Sequence, residues 1–207
     1  YSQVLRWHSC HSGFQCTTAS APMNWAEPGQ ASISLALIRH PASGTSHGSL
    51  LVNPGGPGAS GVDFIRDSLS YAVGPKLEQD YDIVGFDPRG VGASSSVDCG
   101  GAAVLDRFIY GIVPGTPGSD AWIAATEAEN GQFGQDCLAH TGPLLQYIDT
   151  DSAARDLDLL RAVLGDTKLD YLGYSYGTLL GATYAELYPK RTGRLVLDGA
   201  LDPATSD

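Results

Sequence analysis

Positive charge is scarce in this chain. Its 207 residues hold 12 Lys and Arg against 23 Asp and Glu, a formal net charge of −11. Binding to a phosphate backbone needs clustered Lys and Arg, so no nucleic-acid partner is expected. A solvated acidic surface accounts for the carboxylates and selects no substrate. No apolar run approaches the ~20 residues of a membrane-spanning helix, and no signal peptide is recognisable. The chain opens at Tyr1 without Met, which attributes its start to processing or to the choice of fragment. Cys-x-x-Cys is missing, and Cys10, Cys16, Cys99 and Cys137 lack metal-ligand spacing. No nucleotide-binding loop is found, so neither metal nor cofactor is expected. Internal repeats and low-complexity segments are absent. Histidine is missing from the whole stretch after residue 140.

The composition that remains is that of a folded enzyme-sized domain. Hydrophobic residues make up 43% and charged residues 17%, which favours a globular chain over a disordered one. Such a length buries a substantial core in one domain. With 26 Gly and 12 Pro the chain is rich in tight turns. Proximity pairs Cys10 with Cys16 and Cys99 with Cys137. The second pair would close a loop of about 38 residues, worth roughly 4 kcal/mol in the chain-entropy model. Four buried free thiols in a cytosolic protein are the alternative. Disulfides would imply an exported location.

Residues 1–30 read as irregular and polar, with two Trp. The stretch 31–40, ASISLALIRH, alternates as a half-buried strand does. SLLVN (49–53) is a buried strand that stops at a glycine loop, and 62–73 is helical. YDIVGF (81–86) is a strand running into a Gly/Pro turn. Residues 101–141 read as mostly helical, with a break near PGTPGSD. The clearest helix covers 150–165, where Ala153, Leu157, Leu160 and Leu164 share one face. Thr150-Asp151-Ser152 can cap its start and Gly165 its end. Then come a strand (169–174), a helix (176–188) and a strand (194–199). Strands alternating with helices imply crossover connections and a mostly parallel sheet covered on both faces.

Gly173-Tyr174-Ser175-Tyr176-Gly177 falls where a strand feeds straight into a helix. Such a turn forces its central residue into a strained backbone, and flanking glycines let strand and helix approach. The Ser175 hydroxyl then stands above the sheet at a helix N-terminus, which favours a developing negative charge. The N–H of Tyr176 can point at the oxyanion of an acyl-transfer intermediate. The bare pattern is weak, since two flanking glycines surround roughly 1–2% of serines by chance in a chain this rich in Gly. The strand-turn-helix setting sharpens it. Asn53-Pro54-Gly55-Gly56-Pro57-Gly58 lies on the loop after an earlier strand and can supply the other half of an oxyanion hole, with Gly56 the best donor and Gly55 next. In FDPRGVGAS (86–94), Asp87 is read as a turn cap and Arg89 as the partner of a neighbouring acid.

Together, NPGGPGASG, YDIVGFDPRGVGAS, TDSAARDLDLLRAVLG, YLGYSYGTLLGATYAELYP and RLVLDGALDP, in this order, resemble the α/β-hydrolase fold. The likeness is closer to the secreted tripeptidyl aminopeptidase-like serine peptidases, relatives of proline iminopeptidase. It covers residues 10–205, nearly the whole chain. It implies an exported or cell-surface, disulfide-bonded peptidase that takes peptides and releases short peptides or residues from free N-termini. In it Ser175 matches the nucleophile, and Tyr176 with Gly55-Gly56 the oxyanion hole.

The family's pattern continues after DGALDP with a cap, further strands, the catalytic acid and a histidine. In this fold the order is serine, acid, histidine. His8, His11, His40, His47 and His140 all precede Ser175 and read as surface residues. Asp198 and Asp202 precede the acid that the resemblance implies, so Asp198 reads as a turn cap. Residues 1–207 are therefore expected to be the N-terminal part of one catalytic domain. The favoured account is a cut within the cap, with a second chain from the same precursor carrying Asp and His. A shortened chain and an inactive fold reused for binding are the alternatives. A carboxylesterase with the same machinery is the competing activity. By itself this chain is expected to be inactive.

Overall fold

The computed structural model describes residues 1–202. They divide into two compact units, one formed by residues 1–95 with 148–202 and the other by residues 96–147.

The larger unit is built on one sheet. Its strands are β1 (His8–His11), β2 (Phe14–Pro22), β3 (Ser32–His40), β4 (Ser49–Asn53), β5 (Asp82–Phe86), β6 (Leu169–Tyr174) and β7 (Thr192–Asp198), in the order β1-β2-β3-β5-β4-β6-β7. β5, β4, β6 and β7 run parallel, whereas β1, β2 and β3 add an antiparallel edge. Within the 1–30 stretch, residues 8–22 thus form a hairpin, whereas 1–7 and 23–30 are irregular as expected. β2 alternates buried Thr17, Ala19 and Ala21 with exposed residues. These inward positions are small, so they bury against the sheet without giving a hydrophobic signal. β4 is buried along its whole length, as a central parallel strand must be.

Helices cover both faces. On one, α1 (Gly61–Ala72) and the short α2 (Pro75–Asp80) meet Ile38, Leu50, Val52, Ile83 and Leu172, with Ile65 of α1 fully buried among them. Side chains alternate across a strand, so Tyr171 belongs to the opposite face, where α5 (Thr150–Leu164) and α6 (Tyr176–Leu187) pack. Ala153, Leu157 and Leu160 are buried as their spacing requires. Asp156, Asp158 and Arg161 are buried too, so α5 is enclosed on more than its apolar stripe. Its N-cap is Asp149, one residue before the expected polar cluster, accepting from the Ser152 N–H at 2.7 Å. Gly165 ends the helix with φ 91°.

A buried ion pair ties α5 to the loop after β5. Arg89 Nε and Nη2 both donate to Asp156 at 2.7 Å, and the two side chains are 1% and 2% exposed. Arg89 also donates to the carbonyls of Met23 and Pro22, and Trp25 Nε1 donates to Asp156. Burial pushes the Asp156 carboxyl up, against the pull of Arg89 and Trp25. A second buried carboxylate, Asp158, joins α5 to α6 through Arg161, Arg191 and the hydroxyls of Tyr1 and Tyr184.

The smaller unit holds α3 (Ala102–Tyr110), α4 (Asp120–Thr141) and a 3-10 turn over Gly142–Tyr147. The break between the helices falls at the Pro/Gly-rich stretch, where α3 ends at Gly111. Both expected disulfides are present, Cys10–Cys16 across the β1–β2 hairpin and Cys99–Cys137 within this unit. Among the described residues no helix is long and apolar enough to cross a membrane.

Candidate active site

β6 passes into α6 through one residue, Ser175. Its φ of 51° makes it the only non-glycine residue with positive φ among those described. A backbone held there costs on the order of 1–3 kcal/mol and persists only where neighbours enforce it. The neighbours are visible. The Ser175 N–H donates to the Asp198 carbonyl at the end of β7 (2.9 Å), and the Ser175 carbonyl accepts from Thr178 N (2.8 Å) and Thr178 Oγ1 (2.6 Å). Thr178 Oγ1 in turn accepts from Leu201 N at 2.9 Å. Beneath the turn, Tyr171 Oη donates to the Gly177 carbonyl at 2.8 Å, and complete burial pushes that phenol well above its ordinary pKa. A Cβ on Gly173 would collide with the Gly177 carbonyl, so strand and helix meet closer than any side chain allows. The turn thereby leaves Ser175 exposed.

The 53–58 loop lies against this elbow because β4 is the parallel neighbour of β6. Asn53 is in register with Gly173, two residues before the serine. Gly55, at φ 94°, comes so close that a Cβ there would meet the Tyr174 carbonyl. The same atom would lie 3.0 Å from Tyr176 N and 3.1 Å from Ser175 Cβ. Its own N–H donates to Asn53 Oδ1 at 2.9 Å. Among the described residues no hydrogen bond takes up the Gly56 N–H. Tyr176 opens α6, and a first-turn amide has no intrahelical acceptor. The hydroxyl of its ring meets Thr150 Oγ1 at 2.9 Å, which anchors it to the start of α5.

The loop is braced from behind by Asp87, which is 1% exposed. Its Oδ1 accepts from Ser60 Oγ (2.6 Å) and Val62 N (3.1 Å), and its Oδ2 from Ala93 N (2.8 Å). Ser60 Oγ also accepts from Asp63 N, as the N-cap of α1. Asp87 therefore caps its own turn and also fastens the end of the 53–60 segment. Sequence reading missed this second role and that of Thr150, whose partners are distant in the chain; it also missed Tyr171 and Thr178, whose nearby partners at the elbow are selected by backbone geometry.

No histidine of the larger unit is near Ser175. His40 pairs with Ile83, and His47 precedes β4, so both sit at the amino-terminal end of the parallel strands, opposite the serine. His8 and His11 lie on β1, five positions from β6 in the sheet order. At ~4.8 Å per strand that is about 24 Å. In the smaller unit, His140 Nδ1 lies 2.7 Å from the Asp136 carbonyl. Asp198 closes β7 and contributes its carbonyl to the elbow; burial, and after it the Asp198 carboxylate, pushes the Tyr174 hydroxyl up.

A family model described as alpha/beta hydrolase fold matches residues 48–206. The chain is 39% identical to serine protease Hip1 of Mycobacterium tuberculosis over 212 residues, 97% of this chain and 40% of that protein. It is 38% identical over 213 residues to the tripeptidyl aminopeptidase of Streptomyces coelicolor, covering 97% and 38% of the two chains. Carboxylesterase B of Mycobacterium tuberculosis is 41% identical over 211 residues, with 97% and 40% covered. The chain thus spans about 40% of the length of these curated relatives. With the elbow, its abutting loop and a family match over most of the sheet in hand, the chain belongs to the alpha/beta hydrolase fold family.

Proposed function

We propose that this chain carries the nucleophile and oxyanion hole of a serine exopeptidase acting on peptides with free N-termini. The observation that carries this reading is the exposed Ser175 at φ 51°, with the 53–58 loop packed against Tyr176. Ser175 Oγ attacks the scissile carbonyl carbon while a histidine takes its proton. The N–H groups of Gly56 and Tyr176 hold the oxyanion. Collapse expels the amine, protonated by the same histidine, and water then releases the acyl group by the reverse sequence. The distant histidines of the larger unit support a base supplied by further polypeptide, a second chain from the same precursor carrying the acid and histidine. The chain by itself is then inactive. Relatives named serine protease and tripeptidyl aminopeptidase favour the peptidase reading. The two disulfides favour a secreted or cell-surface location.

Carboxylesterase is the second reading, favoured by the relative that bears that name. The test uses the intact protein with every co-purifying polypeptide. A fluorophosphonate should label Ser175 and leave Ser175→Ala unlabelled. Peptide anilides with free N-termini should turn over faster than blocked ones and faster than simple esters. Unlabelled Ser175 removes the catalytic reading, and faster turnover of blocked peptides removes the aminopeptidase one.

A further inference from the structure

We propose that Asn53 is the positioning residue of the oxyanion hole, its side-chain amide holding the 53–58 loop at the height of the nucleophile. The inference rests on the serine-hydrolase chemistry proposed above. Three observations converge on it. Asn53 is 1% exposed at the carboxyl end of β4, in register with Gly173 of the elbow. Its Oδ1 takes the Gly55 N–H at 2.9 Å, while no hydrogen bond among the described residues takes up the next amide, that of Gly56. Its Nδ2 is buried and has no hydrogen-bond partner among the described residues.

An orphaned buried donor is expensive, and native folds rarely keep one without a use. A leucine of similar size would avoid that cost, but it could not accept from Gly55. An aspartate would accept equally well but would bring a negative charge beside the place where an oxyanion develops. Asparagine alone among these offers the acceptor without the charge, and its unpaired N–H group leaves the field at this corner positive. The space for it comes from the elbow. A Cβ on Gly177 would lie 2.8 Å from Asn53 Oδ1 and 2.9 Å from the Asn53 carbonyl. Gly177 therefore serves the contact between the two halves of the hole as well as the turn itself. Asn53 thus bonds the loop through Gly55 and lies against the elbow at Gly177.

The test compares Asn53→Ala with wild type in the intact protein with all its polypeptides. Removing a hole donor outright costs about 10²–10³ in rate, so a loosened donor should lower kcat about 10–100-fold. KM should change less than threefold. The affinity of a peptide aldehyde, whose hemiacetal oxygen occupies the hole, should fall in step with kcat. Amide hydrogen exchange over 51–60 should accelerate while the other strands keep their protection. Unchanged kcat with accelerated exchange would reduce Asn53 to a loop staple and overturn the proposal. So would a fall in kcat with unaltered aldehyde affinity. If Asn53→Ala does not fold, Asn53→Asp, which keeps the acceptor, should retain the wild-type protection of 51–60, and loss of that protection overturns the proposal. Failure of the underlying reading looks different, because wild type would then resist the fluorophosphonate.

Discussion

Gly55→Ala is the most direct perturbation of the site, and its size follows from the structure. Gly55 sits at φ 94°, a region that costs an L residue about 1–2 kcal/mol. The new Cβ would also lie 3.0 Å from Tyr176 N and 3.1 Å from Ser175 Cβ. Atoms in good contact stand ~3.5–4.0 Å apart. All of these neighbours are backbone or the Ser175 side chain, so the loop must move. Overpacking of this kind adds about 1–3 kcal/mol, for a total near 2–5 kcal/mol. If the loop retreats far enough to withdraw the Gly56 N–H, labelling by a fluorophosphonate should slow by about 10²–10³. Gly58→Ala is the matched control. Gly58 has φ 101° but nothing within 4 Å of its Cβ position. It should lose only the conformational part, about 1–2 kcal/mol, and label within a fewfold of wild type. The assay is the second-order labelling rate beside the thermal midpoint of each variant. Equal labelling rates for the two variants would refute the reasoning, because backbone strain without contact at the elbow would then explain both.

Two further outcomes test the scaffold. Asp156→Ala leaves the Arg89 guanidinium buried without its carboxylate, and such losses cost about 3–5 kcal/mol. The midpoint should drop by roughly 6–20 °C in calorimetry, and Arg89→Met combined with Asp156→Leu should recover most of it; additive losses would contradict the pairing. At Asp149 burial raises the carboxyl pKa, but the Ser152 N–H and hydroxyl outweigh it, and the net position lies below the ordinary carboxylate range. A folded pKa below the unfolded one gives stability that is present above pH ~4 and lost as pH falls through the folded value. Asp149→Ala should therefore cost about 1 kcal/mol in urea unfolding at pH 7 and progressively less as pH falls below the ordinary carboxylate range; a cost independent of pH would remove the capping account.

Local chemistry is what a sequence records, and here it sufficed for the elements around Ser175. Glycines flanking Ser175 between an apolar strand and a slim helix dictate the elbow, and four apolar positions at helical spacing dictate α5. β1 and β2 escaped notice because small residues such as Ala19 and Ala21 bury without a hydrophobic pattern. The α5 cap was misplaced by one residue because Asp149 and its polar neighbours are all competent acceptors, and only backbone geometry selects among them. The site as a whole was decided by pairing. Parallel register between β4 and β6 brings Asn53 to the level of Gly173, although 120 residues separate them. Arg89 finds Asp156 across 67 positions. Side-chain preference fixes what each segment does alone; which loops meet, and which buried donor lacks a partner, is set by contacts between segments that no local pattern encodes.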